Sequence, residues 1–320
     1  MIDSRKILII APFAFGYTKH IKDALNTKNG VEASILYLDK PGFKYKGLGH
    51  KIQNFVSKIF GKNLKKTFVF DRIKAEVSKL EKQQDIFIIR PDILDNATLE
   101  FLKTRTANFI AYYWDSTRRF PRKTEIKNYF DAIYSYDKQD VEQYGFNKLT
   151  NYVFAENTSK DYEYLFFNIS TNDHRFSLIE NLAGYLKQHN WSYSIKVYNG
   201  TPFETKHVEL ITEQLSISEV EKLILKSKII VEIQRNDQIG LSFRIFEALG
   251  YRKKLITTNT DVVNYDFYNP QNILVIDENN IEIPEDFVTS PYVDIDEAIL
   301  NKYRLENWVE PIFEINENTK

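Results

Sequence analysis

The chain has 320 residues, with 43 Lys and Arg against 44 Asp and Glu, five His, one Met and no Cys. That length is ample for two domains, and a composition of 43% hydrophobic and 27% charged residues describes a soluble globular chain rather than a disordered one. The lack of cysteine excludes disulfides, thiolate zinc sites, iron–sulfur clusters and a Cys nucleophile, while a net charge of −1 excludes a wholesale polybasic nucleic-acid binder but not a local basic patch.

At the amino end the run Lys6–Ala11 (KILIIA) is short and soon turns polar, so no secretory signal is expected. Nowhere do about 18 apolar residues follow one another, and no transmembrane helix is expected. A cytoplasmic location follows as the expectation, with the inner face of the membrane as a station within it. Buried strands are predicted at Lys6–Ala11, Ala33–Leu38, Asp85–Ile89, Asn108–Tyr113 and Ala132–Tyr136, each short and rich in β-branched or aromatic residues. Helices are predicted between them at Thr18–Thr27, Phe70–Lys82 and Ala97–Lys103. A second series has strands at Tyr164–Asn168, Ser194–Tyr198, Ile229–Glu232, Lys254–Thr258 and Asn272–Ile276. Its helices are Leu178–Gln188, Ser218–Leu225 and Ser242–Leu249. Alternation of this kind means βαβ units around parallel sheets. The polar stretch Ala155–Lys160 is read as the seam, giving an α/β protein of two facing Rossmann-like domains, 1–157 and 158–320. The segment Ile299–Ile315 is expected to be partly helical, interrupted at Pro311, and to return across the seam.

Several loops carry chemistry. After the first strand, Ala11–Thr18 places Phe13, Phe15 and Tyr17 around Gly16; aromatic faces suit sugar rings, and hinge or core packing is the alternative. Between Lys40 and Phe70 lie eight Lys and no acidic residue, and His50–Phe60 spaces Ile52, Phe55, Val56, Ile59 and Phe60 helically. This pattern fits a contact with an anionic membrane, or a solvated helix whose apolar stripe joins the core. In the second half, Ser170–Arg175 follows a strand end, where open α/β sheets hold ligands, and Arg175 can grip a diphosphate. The loop lacks the glycine fingerprint of dinucleotide binding, which counts against a dehydrogenase. The segment Gln238–Gly250 is the most informative. Gly240 permits a tight turn, Ser242 is placed to cap a helix, and Gly250 closes it. The helix start suits a phosphate, Arg244 can add a bidentate contact, and Glu247 one turn deeper can accept from the hydroxyls of a ribose. A capped amphipathic helix with a surface Arg244–Glu247 ion pair is the plainer alternative.

The run Gly240–Gly250, continued by Lys253–Asn259, resembles the donor-binding segment of B-type glycosyltransferases, closest to those of bacterial cell-surface polysaccharide and lipopolysaccharide synthesis. The resemblance extends over most of Tyr164–Ile276 and more loosely to Tyr112–Ser116 and Phe130–Asp137. It implies a nucleotide-sugar donor held by Arg175, Gln238, Gly240, Leu241, Ser242, Arg244 and Glu247. A glycan or lipid-linked acceptor is implied beside Phe15, Gly16, Tyr17, Arg118 and Arg119, with no nucleic acid involved. Asp115 is the first candidate for a catalytic base and His20 the second, Asp115 being equally suited to form a turn. A second Glu that many retaining members carry upstream falls here near Gly240, so the stereochemical course is not inherited. No cofactor or metal is expected, since the Asp-x-Asp pattern typical of metal-dependent transferases occurs only at Asp294–Asp296 in the tail. A sugar-nucleotide epimerase on the same fold, or a non-catalytic binding protein of an assembly system, stands as the alternative.

Overall fold

The structure is a computed structural model that describes residues 4–59, 63–237 and 239–315; the side chains of Phe15, His50, Lys58 and Ile59 fall outside the description. The chain forms two compact units, Met1–Leu149 with Val309–Lys320, and Thr150–Trp308.

The first unit runs β1 (Arg5–Ala11), α1 (Tyr17–Leu25), β2 (Val31–Tyr37), α2 (Leu48–Ile59), α3 (Leu64–Ser78) and β3 (Gln83–Ile89). It continues through α4 (Asn96–Thr104), β4 (Thr106–Tyr113), α5 (Arg122–Glu125), β5 (Ala132–Ser135), α6 (Lys138–Tyr144) and β6 (Asn147–Lys148). The sheet is parallel throughout, in the order β2-β1-β3-β4-β5-β6. Ile7 to Ala11 are wholly buried, as expected of a strand covered by helices on both faces. Leu8, Ile10, Ile86, Ile88, Phe109 and Tyr113 form one core. α3 begins at Leu64, ahead of the expected Phe70, because the Asn63 side chain caps it by accepting from Lys65 N at 3.0 Å.

The second unit holds β7 (Tyr164–Thr171), α7 (Phe176–Gln188), β8 (Tyr193–Tyr198), β9 (Glu209–Ile211), α8 (Ile217–Leu225), β10 (Ser227–Glu232) and α9 (Phe243–Gly250). It ends with β11 (Lys254–Thr257), β12 (Ile273–Val275), α10 (Glu285–Thr289), α11 (Glu297–Tyr303) and α12 (Leu305–Trp308). Its parallel sheet has the order β12-β11-β10-β7-β8-β9. The two-residue β6 and three-residue β9 were not expected from the sequence; edge strands that short carry no periodicity.

The stretch read as a seam, Ala155–Lys160, lies inside the second unit. The chain enters that unit at Thr150 because Tyr152 and Val153 are buried in it, and Val153 bonds Tyr303 O and Leu305 N at 2.7 and 3.0 Å. The last described segment belongs to the first unit. There α13 (Glu310–Phe313) sets Phe313 against Phe87 at 5.3 Å between ring centroids, and Glu310 pairs with Lys28 at 2.6 Å. Pro311 does not interrupt this helix. It sits in its first turn, where a missing N–H costs nothing.

Gly250 closes α9 for a steric reason. A Cβ there would collide with the Ala155 carbonyl oxygen and come within 2.7 Å of Val153 Cγ1. Gly250→Ala should therefore destabilise the fold by about 1–3 kcal/mol despite the better helix propensity of Ala; urea denaturation measures it, and an unchanged or raised midpoint contradicts this packing.

Candidate functional site

In the second unit the chain runs from β7 to β8 and β9 on one side, then restarts with β10 on the other. The carboxyl ends of β7 and β10 are thus the topological switch point, the usual ligand position in open α/β sheets. From the loop after β7, Asp173 accepts from Arg175 Nε at 2.9 Å and Nη2 at 2.8 Å. From the loop after β10, Arg235 Nη1 reaches the same carboxylate at 2.9 Å. Arg175 Nη1 in turn donates to the Ile233 carbonyl at 2.9 Å, and Asp237 holds the rest of Arg235 at 2.9 and 3.0 Å. Burial works against the charge of Asp173. The bonds from Arg175 and the charges of Arg175 and Arg235 outweigh it and hold the carboxyl well below the usual range. Two guanidinium groups from different loops are so fixed at one point.

Glu232, the last residue of β10, is 6% exposed. Thr257 Oγ1 donates to it at 2.6 Å. Burial raises its pKa, opposed by the Thr257 and Ser242 hydroxyls and by the charges of Arg175 and Arg244. It is a buried carboxyl at the edge of the switch point. Glu232, Asp173 and Arg235 were missed in the sequence; the available signal was one acid closing the otherwise apolar run Ile229–Val231.

The turn into α9 follows expectation in part. Gly240 adopts φ +150°, a backbone that side chains rarely permit, and its carbonyl accepts from Asn259 Nδ2 at 2.9 Å. Gln238 lies outside the described residues. The side chain of Leu241 is a core residue, 1% exposed, and its carbonyl is held by Asn151 Nδ2 at 2.9 Å. Ser242 occupies the N-cap position, but its hydroxyl does not cap; it lies toward the Glu232 carboxyl, close enough to favour that group's charge without closing a well-formed hydrogen bond. Arg244 and Glu247 are brought together, Nη1 to Oε2 at 2.5 Å, with side chains 17% and 3% exposed. This is a buried ion pair rather than the surface pair of the plainer reading.

In the first unit the switch point lies between β1 and β3. Gly16, at φ +106°, stands before α1, whose first residue is Tyr17 and which carries His20 one turn on; the Phe15 side chain is outside the description. Phe13, the other aromatic of this loop, packs edge-on to Tyr37 at 5.4 Å beneath the Lys40 ammonium. Asp115 is gathered into a cationic cluster: Arg119 Nη1 at 2.6 Å, Arg90 Nη1 at 3.4 Å, and Lys123 Nζ on its carbonyl. Arg90 is also clasped by Asp92 and stacked 3.7 Å over the Phe120 ring. Arg118 pairs with the fully buried Asp137 at 2.9 Å, and Asp137 caps α6. Both arginines expected to meet an acceptor are thus anchored by carboxylates of their own unit. Among the described residues, no group of three or more His, Asp or Glu is arranged to hold a metal.

Neither a protein-family model nor a curated protein sequence matches the chain. Solved structures match it in fold. S. aureus MnaA, in a co-structure with UDP, aligns over 99% of this chain and 99% of its own with a TM-score of 0.53 and 12% identity. The α,α-trehalose-phosphate synthase (UDP-forming) from Burkholderia vietnamiensis aligns over 97% and 99%, with a TM-score of 0.54 and 10% identity. The fold is the B-type glycosyltransferase fold. The UDP-GlcNAc 2-epimerase of Neisseria meningitidis bound to UDP-GlcNAc also has it, matching over 97% and 99% with a TM-score of 0.51 and 12% identity. This B-type fold therefore hosts both transferases and epimerases.

Lys123 gives the first-unit cluster a pH signature. Its side chain is wholly buried, and burial pushes its pKa down to about 8, against the pull of Asp115 and Asp92. Between about pH 8 and pH 10 the unfolded chain binds more protons at this residue, so stability rises with pH there, and the full cost of burial is felt below pH 8. From about pH 7.5 to 9.5 Lys123 should contribute about 1–2 kcal/mol of this gain, read from denaturant midpoints as the amount by which the parent's rise exceeds that of Lys123→Met, since the buried Lys253 and Lys254, also lowered to about 8, add to the rise in both proteins. An identical pH slope in that variant would remove Lys123 as its source.

Proposed function

We propose that this protein is a glycosyltransferase that binds a nucleoside-diphosphate sugar at the switch point of its second unit and passes the sugar to a glycan or lipid-linked acceptor. The observation that carries the reading is the Arg175–Asp173–Arg235 cluster beside the glycine turn and amino end of α9. Two fixed cations and a helix start are suited to the negative charge that builds on a leaving diphosphate. Uridine is the proposed base, in line with the UDP and UDP-sugar named for the matching structures. Glu247 takes the ribose hydroxyls, with Arg244 as the residue that positions its carboxylate. Charge stabilisation by arginines and backbone N–H groups asks for no metal, and a chelator should leave turnover unchanged. On an inverting course the acceptor proton goes to His20 rather than Asp115, because both Asp115 oxygens already receive guanidinium groups. The acceptor is assigned to the first unit, near Gly16, Tyr17, Arg118 and Arg119, and the reaction to the cytoplasm.

The epimerase reading is favoured by one feature, the buried Glu232 at the donor site. An epimerase must take and return a proton on the donor sugar, and a carboxylic acid with a raised pKa is suited to that work. Incubation with a UDP-sugar alone separates the two: a stereoisomeric UDP-sugar formed without acceptor, and lost in Glu232→Gln, sinks the transferase.

Saturating UDP or UDP-sugar should raise the melting temperature by linkage. Glu247→Ala and Arg235→Ala should each weaken the affinity about ten- to a hundredfold, the usual worth of a charge-assisted hydrogen bond. Undiminished affinity in both variants rules out this donor site. His20→Ala should lower kcat while leaving donor affinity within about twofold, whereas an unchanged kcat removes His20 as the base.

A further inference from the structure

Helix α2 is built inside out. The residue it turns inward is polar: Asn54 is 3% exposed, donates from Nδ2 to Tyr45 Oη at 2.8 Å and accepts at Oδ1 from the Leu64 N–H at 2.9 Å. Leu48, Ile52, Phe55 and Val56 follow the i, i+4, i+7, i+8 rule and so share one stripe, nearly opposite Asn54 on a helix of 3.6 residues per turn. That stripe is turned to solvent, with exposures of 78, 64, 68 and 45%. Among the described residues these are four of the eight large hydrophobic side chains left exposed, gathered on a single helix. For Ile52, Phe55 and Val56 the core alternative is therefore overturned, the Ile59 side chain and Phe60 lying outside the described residues: an asparagine, satisfied by two hydrogen bonds, takes the inward position.

The charge around the stripe is of one sign. Between Lys40 and Phe70 the sequence has eight Lys and no Asp or Glu. Lys40, Lys44, Lys46, Lys51, Lys65 and Lys66 are all exposed. Among the described residues no helix is long and apolar enough to cross a membrane. We propose that α2 is an interfacial anchor that lies on an anionic lipid surface, its apolar stripe sunk at the headgroup–acyl boundary and its lysines on lipid phosphates. A second copy of the chain is disfavoured as the occupant, since the same face would bring two lysine-rich segments together. A bilayer also needs no matching groove, whereas a folded partner does. This inference stands independently of the nucleotide-sugar reading, because none of its residues belongs to the donor site.

Flotation of the full chain with vesicles tests it. Vesicles of phosphatidylcholine with phosphatidylglycerol should carry the protein upward at about 0.05 M salt and roughly tenfold less at about 0.5 M, while pure phosphatidylcholine carries little. Ile52→Ser with Phe55→Ser should lower partitioning at least about tenfold. Lys44→Glu with Lys51→Glu should do the same at low salt, at about fivefold or more per lysine, while keeping the apolar stripe intact. All four positions are exposed, so circular-dichroism melts should match the parent, and the second pair decides the matter should the first melt early. Failure of the parent to float with anionic vesicles at low salt overturns the proposal, as does undiminished flotation of both double variants. A lipid-free dimer dispersed by Ile52→Ser with Phe55→Ser would overturn it too, assigning the face to a second copy.

Discussion

One shared carboxylate organises the second unit's switch point. Asp173 comes from the loop after β7, yet it holds both its neighbour Arg175 and the distant Arg235 from the loop after β10. Two loops that leave adjacent strands are so tied to each other at the place where the sheet order reverses. Because the arginines are already ordered, the anion binding proposed for this cluster would cost little further conformational entropy. The carboxylate also lowers the net charge of the cluster, which limits repulsion between the two guanidinium groups. Arg175 reaches the Ile233 carbonyl as well, which binds it to the backbone that leads into the glycine turn.

The same economy of charge recurs throughout. Arg244 with Glu247, Arg118 with Asp137, and Arg119 and Arg90 with Asp115 are all partly or fully buried pairs. Breaking one partner of such a pair costs more than the pair contributes, since it leaves a charge without water or counter-ion. Buried lysines follow a related rule. Lys253 and Lys254 are 2% and 1% exposed and point their ammonium groups at backbone carbonyls of Ser159 and Leu225, and of Phe287. The Lys-Lys dipeptide that follows α9 thus anchors loops and helix ends and takes no part in the switch point.

The two proposed contact regions differ in how they are packed. The switch-point residues stand on strand ends and at the start of α9, whose far end is pressed against Ala155 with no room for a side chain on Gly250. That close approach fixes where α9 begins as well as where it ends, because the helix is short and stiff. By contrast, among the described residues of α2 Asn54 is the one buried side chain, and Leu48, Ile52, Phe55 and Val56 are exposed.

The strand runs KILIIA, DIFII and IIVE were legible because parallel strands buried on both faces need continuous apolar residues, and the glycine before α9 because its backbone angle excludes others. Length and the alternation of strand and helix together specified an α/β protein of two Rossmann-like units, and the Gly240–Gly250 segment pointed to the second as the place for the proposed donor site. Local pattern could not tell that Asp173 bonds Arg235, that Leu241 is core, or that Ser242 turns to Glu232 instead of capping, since these depend on which loops the strand order brings side by side. Nor could it place the tail, where Trp308 stays with the second unit and Phe313 joins the first. Periodicity likewise showed that α2 has an apolar face but not which way it points. Direction is set by partners outside the helix, here Tyr45 and Leu64 on Asn54, and only the folded chain supplies them.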